Sequence, residues 1–458
     1  MAVRFSEDQV LKATGAYRVQ SGAVASYTSV STDTRTLAQG SLFVALHGER
    51  FDAHEFLKDA VARGAAGALV KEGRKLPPVP RDFGVFAVPD TLAGLGALAH
   101  FHRVRFEIPV GAVTGSNGKT TVKEMTGAIL ATRGPALKTE GNLNNEVGVP
   151  LTLFRLEPAH VAAVVEMGMN RKGEIARLTA IAQPDAGVIT VVQPAHLEGL
   201  GSIEGVASAK GELFHTLSPH GTAVVNLDDP LIVAQARSAG RKQMTFGRAA
   251  KADVKLFSAT PLGREGVALE IDHQGRRHPV KLSFVGEHNA LNATAAFALG
   301  RALGYSAEEC VMGLQAARPH ARRLNVVAAP GGVTVLDDCY NANPASMRAA
   351  LDTLAELAKG GRAVAVLGDM LELGDGAVRD HGELGERAAG KVELLALFGP
   401  TSAEGHARAR AKLGDRAAHF SEVEPLLAWL KPQLREGDVV LVKASRGMKL
   451  ERVVEALT

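Results

Sequence analysis

The sequence predicts an α/β protein of three domains. Short apolar runs typical of buried strands alternate with segments of helical spacing through most of the 458 residues, a pattern that favours parallel sheets covered by helices. At roughly 150 residues a domain, this length accommodates about three domains. A glycine-rich turn between a strand and a helix near residue 115 indicates that one of the domains holds a phosphate group.

The predicted elements fall into three groups along the chain. The first is a small α/β unit, the second contains the glycine-rich turn, and the third begins near residue 318 and repeats the doubly wound pattern without a phosphate loop of its own. The expected strands lie at 41–46, 65–70, 84–88, 108–113, 161–167, 186–192, 333–338, 363–369, 393–399 and 438–445, and the main helices lie at 54–64, from 119, at 202–214, 286–300, from 344 and at 422–434.

Composition excludes several classes of protein. Cys310 and Cys339 are the two cysteines, and they form neither a C-x-x-C motif nor a cysteine–histidine cluster with zinc spacing, so no disulfide framework or structural metal is expected. Residues 1–15 lack the apolar core of a signal peptide, and no apolar run is long enough to span a bilayer. The net charge is +3 and the basic residues are scattered, unlike those of a nucleic-acid binder. We therefore expect a soluble, cytoplasmic protein without nucleic acid or membrane insertion.

The turn TGSNGKTT at 114–121 has the features of a phosphate-binding loop. Gly115 and Gly118 allow backbone N–H groups to turn toward an anion, and the helix that follows adds its N-terminal dipole. Lys119 would reach the outer phosphates of a nucleotide, and the Thr120 hydroxyl would hold Mg²⁺. The full pattern G-x-x-x-x-G-K-[ST] requires glycine at the position of Val113, so this is the shorter G-x-x-G-K-T form, and an ordinary glycine turn stays an alternative.

Polar residues follow two of the strands in the same unit. Glu166 ends the apolar run 161–165, and ligands of doubly wound sheets gather at the carboxyl ends of strands, so this carboxylate is placed to bind Mg²⁺ near the loop. His196 follows the next strand, where a hydrogen-bonded loop histidine is the alternative. Asn142, Asn144 and Asn145 crowd between glycines, in what is otherwise a loop and a helix start.

Lys210 is the least expected residue of the helix 202–214. It lies on the apolar stripe formed by Ile203, Val206, Ala207, Leu213 and Phe214. The stem of a lysine can pass the edge of a core and leave its amine in water, whereas full desolvation would lower the pKa and free a neutral amine for chemistry. On a later helix, Asn289 and Asn292 lie one turn apart, where they could cap the helix or contact a ligand.

Several motifs occur in order from about residue 30 to the C-terminus: TGSNGKTT, GNLNNEVGVPLTL, EMGMN, AHLEG, ASAKGE, GEHNALNA, DDCYNANP, LGDMLELG and KASRGMKLE. Together they resemble the Mur ligases. The phosphate loop and GEHNALNA are shared by the whole family and by folylpolyglutamate synthases, whereas the Asn-rich loop, DDCYNANP and LGDMLELG are specific to the branch that adds a dipeptide. The D-N-P-R sequence typical of the ligase that adds the preceding diamino acid is absent.

The resemblance implies an ATP-dependent amide ligase. Its substrates would be UDP-N-acetylmuramoyl-tripeptide and D-alanyl-D-alanine, joined through an acyl phosphate in the cytoplasmic stage of peptidoglycan precursor synthesis. The implied domains are a UDP-sugar-binding domain (1–88), an ATP-binding domain (89–317) and a Rossmann-like domain (318–458) that closes over the nucleotide, in a monomer. The implied cofactors are ATP, two Mg²⁺ ions and CO₂ as a carbamate on Lys210.

The resemblance also implies a role for individual residues. Lys119, Lys210 and His196 would be catalytic, and the magnesium ligands would be Thr120, Glu166, His196 and the carbamate of Lys210. The ATP contacts would be Gly115, Ser116, Asn117, Gly118, Lys119, Thr120, Thr121, Asn289, Asn292, Asp338 and Arg323 or its neighbour Arg322. The substrate contacts would be Thr34, Arg35, Asn142, Asn144, Asn145, Tyr340, Asn341, Asn343 and Ser445. The first two of these lie in a polar turn that could simply be a turn.

Two other functions fit the loop when it is considered alone. One is a phosphate-loop kinase or a ligase of the folylpolyglutamate type. The other is a nucleotide-driven switch without bond-forming chemistry, whose hydrolysis of nucleotide would not depend on an acceptor.

Overall fold

The computed structural model describes residues 4–48, 51–194 and 197–458. Within these ranges the strands form three sheets, of five, nine and six strands, and one sheet lies in each of the three predicted domain ranges. The predicted α/β architecture is confirmed, while the boundaries at 88/89 and 317/318 remain predictions. Among the described helices, none combines the length and apolar character that crossing a bilayer requires.

The N-terminal sheet contains β1 (Tyr17–Gln20), β2 (Val30–Ser31), β3 (Leu42–Val44), β4 (Gly67–Lys71) and β5 (Gly84–Val88). Its order is β1-β5-β4-β3-β2, with β1 antiparallel to β5 and the other neighbours parallel. Its helices are α1 (Glu7–Thr14) and α2 (Leu57–Ala62). The helix expected over 54–64 is shorter than predicted, because Ala53–Phe56 forms a 3-10 turn that begins at the Asp52 cap.

The central sheet contains β6 (Val110–Thr114), β7 (Ala136–Lys138), β8 (Ala162–Glu166), β9 (Ala186–Ile189), β10 (Thr222–Asn226), β11 (Lys242–Gly247), β12 (Val254–Pro261), β13 (Val267–His273) and β14 (Arg276–Leu282). Its order is β14-β13-β12-β11-β10-β9-β6-β8-β7, and among these described strands the antiparallel pairs are β12 with β13 and β13 with β14. Every residue of β8 is buried, because helices cover both faces of the parallel part. Residues of β13 alternate between buried and half-buried, as expected for an antiparallel strand with one face toward solvent.

The helices of the central part pack on both faces of that sheet. They are α3 (Thr91–Arg103), α4 (Lys119–Leu130), α5 (Gly148–Leu153), α6 (Glu174–Ala182), α7 (Leu197–Leu200), α8 (Ile203–Thr216), α9 (Pro230–Ala239), α10 (His288–Ala302) and α11 (Ala307–Ala316). Their starts follow the sequence: Asp229 caps α9 ahead of Pro230, and Ser306 begins α11 in a capping box with Glu309. The chain leaves β6 for α4 and β7 on one side and later forms β9 on the other, so the carboxyl end of β6 is a switch point where ligands bind.

The C-terminal sheet contains β15 (Asn325–Ala329), β16 (Val333–Asp338), β17 (Ala363–Gly368), β18 (Leu394–Phe398), β19 (Ala417–Phe420) and β20 (Val439–Lys443). Its order is β15-β16-β20-β17-β18-β19, and only β15 is antiparallel to its neighbour. The helices are α12 (Pro344–Leu357), α13 (Ala377–Ala389), α14 (Ser402–Leu413), α15 (Val423–Leu430) and α16 (Glu451–Leu457). The helix expected over 422–434 ends early, since Pro432 cannot donate an N–H to a continuing α-helix.

The first two sheets share one hydrophobic core, whereas the third sheet has cores of its own. One buried cluster runs from Phe5, Leu42 and Phe86 of the N-terminal part to Val165 and Phe214 of the central part. The two faces of the C-terminal sheet have clusters of their own, to which the central part contributes Val285. The C-terminal domain is thus the part whose core depends least on the rest.

Two glycines allow α13 and α14 to cross closely in that domain. A Cβ atom at Gly385 would lie 2.0 Å from the carbonyl oxygen of Gly405. We expect Gly385→Ala to lower the free energy of unfolding of this domain by about 1–3 kcal/mol, because backbone atoms cannot move away as a flexible side chain would. Calorimetric unfolding of the purified protein measures the effect.

The matched control is Gly390→Ala at the end of α13. There φ is −84° and the nearest atom to a new Cβ would be the Arg387 carbonyl oxygen at 3.4 Å, so the midpoint of unfolding should stay the same or rise slightly. Equal destabilisation by the two substitutions would contradict close packing at Gly385.

Candidate active site

The glycine loop after β6 requires glycine at both positions that the sequence suggested. Gly115 has a φ of 149° and Gly118 a φ of 81°, in the region that disfavours L-residues. A Cβ atom at Gly115 would lie 1.9 Å from Thr190 Oγ1, and one at Gly118 would lie 2.5 Å from Asn292 Oδ1. The loop leads directly into α4, whose N-terminus favours an anion at this point.

Lys119 lies at the start of α4 with its amine turned back on the loop. Its Nζ donates to the carbonyl oxygen of Gly115 at 2.7 Å. Burial lowers the pKa of this amine, the nearby Glu166 carboxylate opposes that shift, and the Arg323 guanidinium adds to it. Its hydrogen-bond partners among the described residues are thus neutral carbonyl oxygens, of Gly115 and, at 3.5 Å, of Ser116, and a phosphate would be a stronger partner.

Glu166 stands beside the loop because β8 pairs with β6, in a register that places it opposite Val113. Its side chain is 2% exposed. One carboxylate oxygen, Oε1, accepts a hydrogen bond from Asn144 Nδ2 at 2.9 Å. The other, Oε2, is buried and has no hydrogen-bond partner within the described ranges. A buried oxygen left without a donor is suited to a cation.

A magnesium ion would have few protein ligands here. Within residues 4–48, 51–194 and 197–458, no group of three His, Cys, Asp or Glu side chains is arranged to hold a metal. Mg²⁺ commonly binds through one or two protein ligands together with substrate phosphates and water. Glu166 Oε2 and the buried hydroxyl of Thr120 fit such a site. His196, the other predicted ligand, lies outside the described residues.

Lys210 is buried on α8, as its place on the apolar stripe predicted. It is 2% exposed, and no hydrogen bond or ion pair of its amine is found in the described part of the chain. Desolvation lowers the pKa of Lys210 well below its usual value, and the positive charge of Lys119 lowers it further. The account in which the amine reaches water past the core edge is therefore disfavoured.

A cavity of about 280 Å³ opens in front of the loop, between the central and C-terminal domains. Both predicted asparagines of α10 line it: Asn289 Nδ2 donates to the carbonyl oxygen of Val285 at 2.8 Å, and Asn292 Nδ2 donates to Asn289 Oδ1 at 2.9 Å. The predicted site residues that line this cavity are Ser116, Asn117, Gly118, Lys119, Thr120, Thr121, Asn289, Asn292, Arg323, Asp338, Asn341 and Asn343.

The C-terminal domain contributes Arg323 to the cavity. Its Nη2 donates to Thr120 Oγ1 at 3.1 Å, and its guanidinium carbon lies 4.0 Å from the centre of the Tyr340 ring. Arg322 points elsewhere, because its Nη1 pairs with Glu451 Oε1 at 3.1 Å. Of the two arginines proposed as alternatives, the structure brings Arg323 to the loop and places Arg322 against α16.

Asp338 ends β16 and faces the same cavity. Its Oδ2 lies 2.6 Å from the amine of Lys443, which also donates to the carbonyl oxygen of Asn341 at 2.8 Å. Lys443 ends β20 and was missed in the sequence analysis. The sequence did contain an indication of its role, because a lysine at the end of an otherwise apolar strand has the same placement as Glu166.

A pair of amides connects the loop to the C-terminal domain. Asn343 Nδ2 donates to Asn117 Oδ1 at 2.9 Å, and Asn117 Nδ2 donates to Asn343 Oδ1 at 3.3 Å. Asn343 also caps α12, which fixes its position. The Asn117 amide contacts Gln193 as well, a second lining residue that sequence reasoning missed.

The remaining predicted substrate residues do not line this cavity. Thr34 and Arg35 lie in a 3-10 turn, where the exposed Arg35 guanidinium pairs with Asp33 at 2.7 Å and holds the pKa of that carboxyl at about 2. Asn145 Oδ1 accepts the backbone N–H of Gly148 at 2.8 Å and so supports the start of α5. Ser445 is buried, and its hydroxyl accepts the backbone N–H of Leu371 at 2.9 Å. Asn142 lies in the loop before Asn144.

Two family models match most of this region. The Mur ligase middle domain matches residues 113–300, and the Mur ligase, glutamate ligase domain matches residues 322–446. Among curated proteins, the UDP-N-acetylmuramoyl-tripeptide--D-alanyl-D-alanine ligase of Bacillus subtilis is 39% identical over 432 residues, which is 93% of this chain and 92% of that protein.

Solved structures agree with this relationship. A crystal structure of MurF from Acinetobacter baumannii has a TM-score of 0.91 at 34% identity, covering 100% of this chain and 99% of that one. MurF ligase from Thermotoga maritima, in complex with ADP, has a TM-score of 0.81 at 30% identity, covering 93% of this chain and 96% of that one. The match of two consecutive family domains, and of relatives along nearly the whole length, shows that the chain is a member of the Mur ligase family.

Proposed function

We propose that this chain is an ATP-dependent amide ligase that adds D-alanyl-D-alanine to UDP-N-acetylmuramoyl-tripeptide, with release of ADP and phosphate, in peptidoglycan precursor synthesis. The observation that carries the proposal is the cavity between the central and C-terminal domains, where a phosphate loop faces Arg323 and Asp338. Relatives of which this chain covers 92% and 95% bear the name of this ligase, and the MurF ligase of Thermotoga maritima was solved with ADP.

The first step brings two anions together. A substrate carboxylate must attack the γ-phosphate of ATP, and catalysis of such a transfer depends on positioning and on offsetting negative charge. The amine of Lys119 would leave the Gly115 carbonyl oxygen for the outer phosphates, and the guanidinium of Arg323 would approach them from the other domain. Asn289, Asn292 and Asp338 would hold the rest of the nucleotide.

Magnesium fits the same place. Bound Mg²⁺ would neutralise charge on the phosphates and the attacking carboxylate. Thr120 and the unpaired Oε2 of Glu166 would hold one ion. We propose His196 and a carbamate on Lys210 as ligands of a second ion.

The second step forms the amide. The product of phosphoryl transfer is an acyl phosphate, which water would hydrolyse, so the interdomain cavity must exclude water until the dipeptide arrives. The free amine of D-alanyl-D-alanine attacks the acyl carbon, a C–N bond forms, and the C–O bond to phosphate breaks. The contacts of Arg323 and Asn343 with the loop provide the means of closing the cavity.

Product masses test this function directly. The protein is incubated with ATP, UDP-N-acetylmuramoyl-tripeptide and D-alanyl-D-alanine, and the expected product is the UDP-N-acetylmuramoyl-pentapeptide together with ADP and phosphate. Hydrolysis of ATP without a new amide would favour the nucleotide-driven switch. A phosphorylated product or a glutamate adduct would favour a kinase or a folylpolyglutamate-type ligase.

Lys119→Ala should lower the rate of ligation by on the order of 10²-fold or more, because the transition state loses a positive side chain at the outer phosphates. The measurement is kcat for pentapeptide formation, with the midpoint of thermal unfolding as a check of the fold. The control is Lys172→Ala, which removes an exposed lysine and should leave kcat unchanged. A folded Lys119→Ala protein with wild-type kcat would remove the loop from the mechanism.

Lys210 is proposed to work as a carbamate. A protonated amine there would add positive charge next to Lys119, whereas CO₂ on the neutral amine gives a carboxylate-like group of the hard type that Mg²⁺ prefers. Lys210→Ala should lose most activity and regain part of it with added short carboxylic acids, and Lys210→Arg should not recover, since guanidinium stays charged.

A carbon NMR spectrum of the protein in ¹³C-bicarbonate reports the adduct independently of activity. A carbamate signal is expected for the wild type and should be missing from Lys210→Arg. A wild-type protein that is fully active with Lys210 unmodified would contradict the carbamate.

A further inference from the structure

Arg446 is an arginine for which the described part of the chain provides no acidic partner. It follows β20 directly, is exposed, and its guanidinium has no hydrogen bond or ion pair with any residue that the structure describes. The guanidinium carbon lies 5.5 Å from the centre of the Tyr340 ring. Arg323 is held over the same ring at 4.0 Å. Two guanidinium groups around one ring repel each other, and an anion between or beside them would relieve that repulsion.

The backbone around Arg446 is fixed although its side chain is free. Ser445 donates its N–H to the carbonyl oxygen of Asp369 at 3.1 Å and accepts the N–H of Leu371 at its hydroxyl. On the other side, a Cβ atom at Gly447 would lie 3.0 Å from the Leu371 side chain. Arg446 thus projects from a rigid strand end, as a residue that positions a ligand should.

A second cavity between the domains lies near that strand end, because Leu371, which contacts Ser445 and faces Gly447, directly precedes part of its lining. This cavity has a volume of about 590 Å³, and it is lined by Pro194 and Gly201 of the central domain and by Pro344 and the segment 372–376 with Arg379 and Asp380 of the C-terminal domain. Pro194 follows Gln193, and Pro344 follows Asn343, and both of these preceding residues line the nucleotide cavity. The second cavity therefore begins where the nucleotide cavity ends.

We propose that Arg446 binds the terminal carboxylate of the dipeptide acceptor, an inference that rests on the proposed ligase function. The amine of the dipeptide must reach the acyl phosphate beside the loop, and two extended residues span about 7 Å, so the carboxylate must be held a short distance beyond Tyr340. Arg446 lines no part of the nucleotide cavity, and the UDP group of the donor is expected at the N-terminal domain. The dipeptide carboxylate is then the anion left to pair with it.

Arg379 lines the second cavity itself, but its charge is already balanced. Its guanidinium donates to Asp380 Oδ1 at 2.9 Å and lies 3.9 Å from Glu383. A guanidinium in an existing pair would have to give up that carboxylate to bind a new one. The free guanidinium of Arg446 has no such competition.

The test compares D-alanyl-D-alanine with its C-terminal amide, which keeps the reacting amine and lacks the negative charge. With ATP and the UDP-tripeptide saturating, the wild type should have a KM for the amide about 10- to 100-fold higher than for the acid, as expected for loss of a charge-assisted hydrogen bond. Arg446→Met should raise the KM for the acid to a similar degree and abolish the preference for acid over amide. The KM for ATP should not change, and Arg446→Lys should restore part of the preference.

Two further variants make the result specific. Arg379→Met should keep the wild-type preference, and Arg410→Met, which removes an exposed arginine of α14, should behave as the wild type. Unfolding midpoints establish that each variant is folded.

Each outcome has one meaning. If Arg446→Met keeps the preference for the acid, or if Arg379→Met abolishes it, Arg446 does not bind this carboxylate. If Arg446→Met instead raises the KM for the UDP-tripeptide alone, the anion belongs to the donor and the inference is overturned. A wild type that forms no amide from the unmodified dipeptide would refute the proposed function itself, which separates the two failures.

Discussion

The electrostatic imbalance around the glycine loop is the constraint on which the rest of the site depends. Burial lowers the pKa of Lys119, the Glu166 carboxylate opposes that shift and the Arg323 charge adds to it, and the charge of Lys119 adds to the effect of burial on the pKa of Lys210. So many cations in a partly buried space are stable only if anions join them or if an amine gives up its proton. The lowered pKa of Lys210 favours loss of one positive charge, and binding of a nucleotide would offset the others.

Because the hydrophobic cores are separate, the C-terminal domain can move relative to this charged site. The N-terminal and central sheets share one apolar cluster, so we expect them to behave as one body, whereas the C-terminal sheet has clusters of its own. Polar contacts such as Arg323 with Thr120 cross the interdomain cavity. Polar contacts exchange more readily than a packed core does, so ligands can change the position of the C-terminal domain without disturbing either fold.

Much of the site could be predicted from the sequence because the signals are local. The loop is marked by a strand, two glycines and a helix start, and Lys210 by its place on an apolar stripe. The pairing of Asn117 with Asn343 could not be predicted in the same way, because it depends on how two domains meet across more than 200 residues of sequence. Lys443, in contrast, had a local signal at the end of an apolar strand that was not used.

Backbone conformation explains why Arg323 and not Arg322 reaches the loop, a choice that the sequence left open. Arg322 has a left-handed φ of 64°, a conformation that arginine rarely adopts and that no sequence pattern indicated. The two neighbouring side chains diverge, and Arg322 reaches Glu451 while Arg323 reaches the loop. The antiparallel strand β13 had a usable signal, since residues 269–272 alternate between apolar and polar.

The paired amides of Asn117 and Asn343 have a consequence for inhibition. Within the pair, each side chain donates one hydrogen bond to the other and accepts one, and neither carries a charge, so the pair is insensitive to ionic strength. A small molecule with a primary carboxamide could form with either asparagine the hydrogen bonds that its partner now forms. Bound between the two side chains, it would keep the domains apart, and it would need no phosphate mimic to do so.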